Sequence, residues 1–343
     1  MDAFGYGFGI AIAVMAIMIS MGGMAAGLGF AANNRKLKEF GKEELLQSLV
    51  NGALLGGLAI LFMPNGIMAG VLNALTFSSP TSINCPGALA QNTAICFSYD
   101  YLSGPGYTLN GVYHQSVLSQ VTALMAGFLA LNAALGIIAG IKLSAVVISL
   151  SFSSLLNPII GQIQYFIKTL TTISLGILVQ SALLQFVAMS AISAILPIGL
   201  VLRTFYPTRK LGGFLIAVAI GTYVVLPMSY VMNANILDSY QSASTTSAIS
   251  SLSGSAGSIE SQAMSVNKNA IENIGLLNSI VSALNALGSG FSSIFNDIMS
   301  AISYFIMAAF ILPAFSLVLT VISIKELSGV LGSEVSFSLF DMV

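Results

Sequence analysis

The sequence predicts an all-α, polytopic membrane protein of about seven spans, with its N-terminus outside and an external amphipathic helix. Three observations carry that expectation. Of 343 residues only 11 are Lys or Arg and 12 are Asp or Glu, so 7% are charged and 56% hydrophobic. Mean hydropathy is +0.92, whereas a soluble domain carries about 25% charged residues and could not be clothed with so few. The apolar residues also fall in blocks long enough to cross a bilayer. Finally, the cations gather in a few short turns between those blocks. Such a composition excludes a cytosolic enzyme, a nucleic-acid-binding domain with a basic face, and a disordered regulator.

Residues 1–76 are expected to hold two transmembrane helices around a cytoplasmic basic hairpin. The first block, Phe4 to Ala32, follows Asp2 rather than a basic segment and is too long for the apolar core of a signal peptide. Arg35, Lys36, Lys38 and Lys42 come next, so the end of this helix faces inward. The polar stretch to Gln47, with Glu39, Glu43 and Glu44 interleaved, is expected to be a short cytoplasmic helix. The second block, Leu49 to Leu75, is interrupted at Pro64-Asn65-Gly66. It reads as one kinked helix, or as a span followed by a re-entrant piece.

Residues 77–113 form an external loop rich in Ser, Pro, Gly and Tyr, with Asp100 as its only charge. Residues 114–232 are expected to be a four-helix transmembrane core. Val117 to Ile141 is one span, ending at Lys142. Leu143 to Leu202 is too long for one span, which places a hairpin near Gln162–Lys168 unless 143–167 lies along the interface. Leu211 to Val231 is the next span. Residues 233–270 read as an external, mobile Ser/Thr-rich loop. Residues 271–343 hold the amphipathic helix, a last transmembrane helix and a short tail; if 271–299 cross, the spans number eight. The orientation follows from the cations. Arg35, Lys36, Lys38, Lys42, Lys142, Arg203, Arg209, Lys210 and Lys325 fall inside, and Lys168 and Lys268 outside.

Few side chains here can do chemistry: the chain has one His, two Cys and no Trp. Cys85 and Cys96 share the external loop, where an oxidising exterior permits a disulfide worth roughly 2–3 kcal/mol of local order. Two unpaired thiols are the alternative, and His114 lies too far off to complete a metal site. No metal, cofactor or catalytic residue is expected: phosphate-binding loops, HExxH, CxxC and a Ser-His-Asp arrangement are all missing from the sequence. Any nucleotide chemistry therefore belongs to another subunit.

Small residues recur four apart at Gly5/Gly9, Gly23/Gly27, Gly52/Gly56, Gly66/Gly70, Gly136/Gly140 and Gly213/Ala217/Gly221. That spacing suits close packing between helices of this chain, or a partner subunit against the first helix. Lys168, Thr171, Ser174, Ser181 and Gln185 follow helical spacing, either as interhelical hydrogen-bonding groups or as the lining of a water-filled path. Asn278, Ser282, Asn285, Ser289, Ser292 and Asn296 form the uncharged polar face of the amphipathic helix. Without Lys or Arg it suits a vestibule, a protein contact or the outer membrane surface better than anionic lipid.

The stretch Leu196 to Asn233 holds Pro197, Gly199 and Arg203, then Pro207, Thr208 and Arg209, then Gly212, Gly213, Gly221, Tyr223 and Pro227. In these positions, about a tenth of the chain, it resembles archaeal polytopic membrane subunits of type IV secretion and conjugation-like DNA transfer systems (CedA/TrbL/VirB-type channel proteins). The resemblance implies a non-enzymatic channel subunit in an archaeal plasma membrane. Its partners would be small membrane subunits, a separate hexameric ATPase and DNA as cargo, in a homo- or hetero-oligomer. Arg203, Arg209 and Lys210 are then topogenic anchors, an ATPase docking point or a phosphate contact. A permease for a small neutral solute and a platform for a surface filament are the other two functional expectations.

Overall fold

The computed structural model describes residues 3–62, 67, 70–71, 74, 93–109, 112–140, 142–145, 148–151, 153–204, 208–237, 247–250, 252, 254 and 296–331. It is overwhelmingly helical. Five helices among these residues are long and apolar enough to cross a membrane: Ile12–Ala31, Val117–Gly136, Leu156–Arg203, Arg209–Leu237 and Asn296–Val330. Large apolar side chains such as Met21, Met24 and Leu28 are 63–66% exposed, which suits hydrocarbon rather than water.

The chain divides into two units. The first takes Met1–His114, Gln180–Asn235 and Pro313–Val343; the second takes Gln115–Val179 and Ile236–Leu312.

In the first unit, α1 (Ala3–Ala31) and α2 (Arg35–Phe62) form a helical hairpin. The polar stretch expected to be a separate cytoplasmic helix is the opening of α2, which runs unbroken into the apolar block. The turn between them follows from two asparagines. Asn33 takes a left-handed φ of 50°, and Asn33 and Asn34 donate their N–H groups to Phe30 O and Gly29 O, which closes α1. Asn34 Oδ1 then accepts from the Lys36 and Leu37 N–H groups and opens α2. Glycine permits the close approach at two levels. A Cβ on Gly29 would stand 2.6 Å from Lys38 N, and one on Gly41 would stand 2.7 Å from Ala26 Cα. The break expected at Pro64-Asn65-Gly66 lies outside the described residues.

The described part of segment 77–113 carries structure of its own. Helix α3 (Thr93–Leu102) precedes an antiparallel hairpin of β1 (Tyr107–Leu109) and β2 (Val112–His114), with Tyr107 paired to His114. Tyr107 packs edge-on against Phe97 and Tyr101 and stacks on His114 at 5.3 Å. Ser98 Oγ donates to Pro227 O at 2.9 Å and ties α3 to the helical bundle.

In the second unit α4 (Val117–Gly140) runs antiparallel to the first part of α5 (Ser153–Ser190), joined by the strand pair β3 (Lys142–Ala145) and β4 (Ile148–Ser151). Phe128 stacks on Phe166 at 5.5 Å, and Thr171 Oγ1 reaches Met125 Sδ at 3.8 Å. This corrects two expectations. Residues 142–145 and 148–151 form strands, and the hairpin expected near Gln162–Lys168 does not exist, because α5 passes through that segment and through Pro158 without a break. The helix goes on through a π turn (Ala191–Ile195) into α6 (Leu196–Thr204). Leu156 to Arg203 is 48 residues, about 72 Å of helix against a hydrocarbon core of about 30 Å.

The remaining helices are α7 (Arg209–Ile220), α8 (226–237), α9 (296–306) and α10 (Leu312–Val330). A π turn at Gly221–Val225 joins α7 to α8, and another at Met307–Ile311 joins α9 to α10. All three π turns stand just before a Leu-Pro pair: Leu196-Pro197, Leu226-Pro227 and Leu312-Pro313. Proline cannot donate to the carbonyl four residues back and its ring clashes with it. The widened turn absorbs that clash, and the preceding Leu N–H bonds five residues back, to Ala191, Gly221 and Met307 O respectively.

Candidate functional site

Two basic turns define one end of the first unit. The α1–α2 turn carries Arg35, Lys36, Lys38 and Lys42. Arg35 Nε pairs with Glu39 Oε1 at 3.0 Å on the exposed surface, which contributes little to stability. Lys38 Nζ sits 3.9 Å from the centre of the Phe30 ring, a cation–π contact. These groups border a cleft of about 380 Å³.

The second turn joins α6 to α7. Thr208 Oγ1 donates to Leu202 O at 2.7 Å and folds the chain back. Gly199 and Gly212 bring the two helices together: a Cβ on Gly212 would stand 2.6 Å from Gly199 O, and one on Gly199 would stand 3.0 Å from Ile216 Cγ1. Arg203 and Arg209 flank this turn at the end of α6 and the start of α7. Arg203 Nε and Nη1 are buried without a hydrogen bond among the described residues. Lys210 is exposed.

Glu44 joins the two turns. Its carboxylate is buried and lies 3.8 Å from Arg209 Nη2. From Glu44 a polar row climbs α2 at helical spacing through Ser48 and Asn51, all three buried. Ser48 Oγ turns to Leu45 O. Asn51 is fully buried, and neither amide atom has a partner among the described residues. Sequence reasoning missed this row. The signal was there: three polar side chains at positions 44, 48 and 51, on one face of a helix becoming apolar.

Higher in the unit, Tyr230 donates to Gln180 Oε1 at 3.3 Å, and Asn233 bonds Ser316. Gly221 meets Ile324 of α10, Tyr223 is buried, and Pro227 O accepts from Ser98. The residues that carry the family-like pattern are thus packing and turn residues of one hairpin; Pro207 lies outside the described residues.

The residues of the expected polar stripe are divided between the two units. Lys168 and Thr171 are exposed and Ser174 half-buried in the second unit; Ser181 is buried and Gln185 half-buried in the first. Thr171 and Ser174 turn their hydroxyls to Ile167 O and Thr171 O of their own helix. Asn278, Ser282, Asn285, Ser289 and Ser292 lie outside the described residues, and Asn296 is exposed at the start of α9. Cys96 is buried and disulfide-bonded; Cys85 lies outside the described residues. The small-residue spacings fare unevenly. Gly213, Ala217 and Gly221 are packed, whereas a Cβ on Gly9, Gly23, Gly27, Gly56, Gly70 or Gly136 would meet nothing within 4 Å.

Asp100 on α3 is 1% exposed, and neither carboxylate oxygen has a partner among the described residues. Burial raises its pKa to about 6. Among the described residues no three His, Cys, Asp or Glu side chains gather as a metal site. Comparison with protein-family models, with curated proteins and with solved structures finds no match.

Proposed function

We propose that the chain is a multi-pass subunit of an archaeal plasma membrane that forms the channel or scaffold of a DNA translocation machine, for import or conjugation-like transfer. The observation that supports this reading is the buried polar row Glu44–Ser48–Asn51, whose first member meets Arg209 at the basic end of the first unit. The family-like hairpin at 196–233 supports the same reading. Arg203, Arg209 and Lys210 then serve as the landing point for a separate hexameric ATPase, with small membrane subunits completing a homo- or hetero-oligomer around the DNA.

The topology is refined along with it. Glu44 meets Arg209, so both basic turns lie on one side, taken as the cytoplasm by the positive-inside tendency. The chain between those turns crosses an even number of times. The Thr208–Leu202 and Gln180–Tyr230 hydrogen bonds mark the two levels of the crossing by residues 180–203. They are separated by about 32–35 Å of helix, which matches one bilayer. The N-terminus stays outside.

A deletion strain complemented with wild type or Asn51→Leu tests the reading. Loss of cell-to-cell DNA transfer in the deletion, restored by wild type and not by Asn51→Leu, is the expected result. Normal transfer in the deletion strain overturns it. A secondary transporter for a small neutral solute is the second reading, favoured by the three π turns, since transporters build their sites from interrupted helices. It requires solute uptake by proteoliposomes containing this chain alone.

A further inference from the structure

The cleft at the α1–α2 turn has a chemistry that neither the channel nor the topology uses. Its wall holds Arg35, Lys38 and Lys42 against a single acid, Glu39, which Arg35 already engages. Phe30 forms the apolar edge, and Lys38 is held over its ring. Below the cleft α1 presents an open strip. Gly27 and Gly23 lie three and seven residues before Phe30, on the same helix face. A Cβ at either would meet nothing within 4 Å. Ile19, eleven residues before Phe30, continues the strip and is 50% exposed.

We propose that this is a binding site for an anionic membrane phospholipid. The headgroup phosphate lies among Arg35, Lys38 and Lys42, and one hydrocarbon chain lies along the open strip from Gly27 and Gly23 to Ile19. Phe30 to Ile19 is about 16 Å of helix, close to the roughly 15 Å of one leaflet. Charge and length therefore fit the same ligand: a phosphate at headgroup level with a chain directly beneath it. The site rests on α1 and α2 lying in a membrane, and stands whether or not the chain moves DNA.

Native mass spectrometry of the full chain, taken from vesicles of equimolar phosphatidylcholine and phosphatidylglycerol, tests the site. Wild type is expected to retain phosphatidylglycerol in preference to phosphatidylcholine. Lys38→Ala and Lys42→Ala should each lower that retention roughly fivefold. Lys36→Ala removes the same charge from the same turn but not from the cleft wall, and should leave retention within about twofold. Gly27→Leu fills the chain gap without touching charge and should also lower it. Equal losses for Lys36→Ala and Lys38→Ala would overturn the site in favour of diffuse attraction. Displacement of the lipid by inorganic phosphate would overturn the lipid as occupant. Retention unchanged in Lys38→Ala, Lys42→Ala and Gly27→Leu would remove the site altogether.

Discussion

Asn233 Nδ2 donates to Ser316 Oγ at 2.9 Å, and both side chains are buried where α8 meets α10. Thr320 Oγ1 donates in turn to Ser316 O, so one polar pair fixes the last helix against its neighbour. Hydrogen bonds of this kind between membrane helices average about 0.6 kcal/mol and reach about 1.7. Asn233→Leu and Ser316→Ala should each lower thermal stability in detergent by that order, and the double variant by less than the sum. A strictly additive cycle would show that the bond contributes nothing.

Gly212→Val should separate α6 from α7, since its Cβ would press on the Arg203 and Gly199 backbone. Overpacking of this sort costs about 1–3 kcal/mol. Gly23→Ala, made into open space, should leave the melting temperature unchanged. Equal effects for the two would contradict the packing described for the first unit.

Glu44→Gln should destabilise the chain by roughly 1–3 kcal/mol, less than a fully buried pair because Arg209 is 27% exposed. The loss arises because the substitution removes the buried carboxylate that pairs with Arg209. Adding Arg209→Gln should recover part of it in the same melting assay. A second substitution that only adds further loss would rule out the coupling.

Asp100 predicts a pH dependence with a definite sign. Its folded pKa, raised by burial to about 6, exceeds the ordinary carboxylate value of 3.8. The folded state therefore holds the proton more tightly, and stability is greatest below about pH 4 and falls as pH rises toward 6. Asp100→Asn should flatten that slope in melts followed across the range. An Asp100→Asn profile that still falls over this interval would place the titration elsewhere.

Labelling tests the refined topology. A cysteine replacing Lys36 should react with an impermeant thiol reagent only after lysis, as should one replacing Lys210. Labelling of either in intact cells would reverse the orientation.

Some of this was legible in the residues and some was not. The first apolar block and α1 agree almost to the residue, because a helix in lipid needs only length and apolarity. The α1–α2 turn was visible as a charge cluster, although Asn33 and Asn34, which make it, carry no charge. Hydropathy could not tell one long helix from two spans at Gln162–Lys168, where no residue forces a turn. The glycine spacings misled for a related reason. Spacing puts residues on one face but does not say which face meets a neighbour, so Gly29, Gly41 and Gly212 pack tightly while Gly23 and Gly27 stand open. The stripe from Lys168 to Gln185 looked continuous, yet it is divided between two units, and the Thr171 and Ser174 hydroxyls turn to carbonyls of their own helix.

By itself the sequence determined the solvent, because 23 charges in 343 residues leave hydrocarbon as the medium that suits this surface. It also placed the basic turns, because cations resist burial in lipid and must end a helix. Tertiary structure alone decided that those turns share one end, since Glu44 reaches Arg209 across 165 positions of chain. It alone decided which polar groups are buried together. Local pattern specifies a face of one helix, and only packing specifies what that face meets.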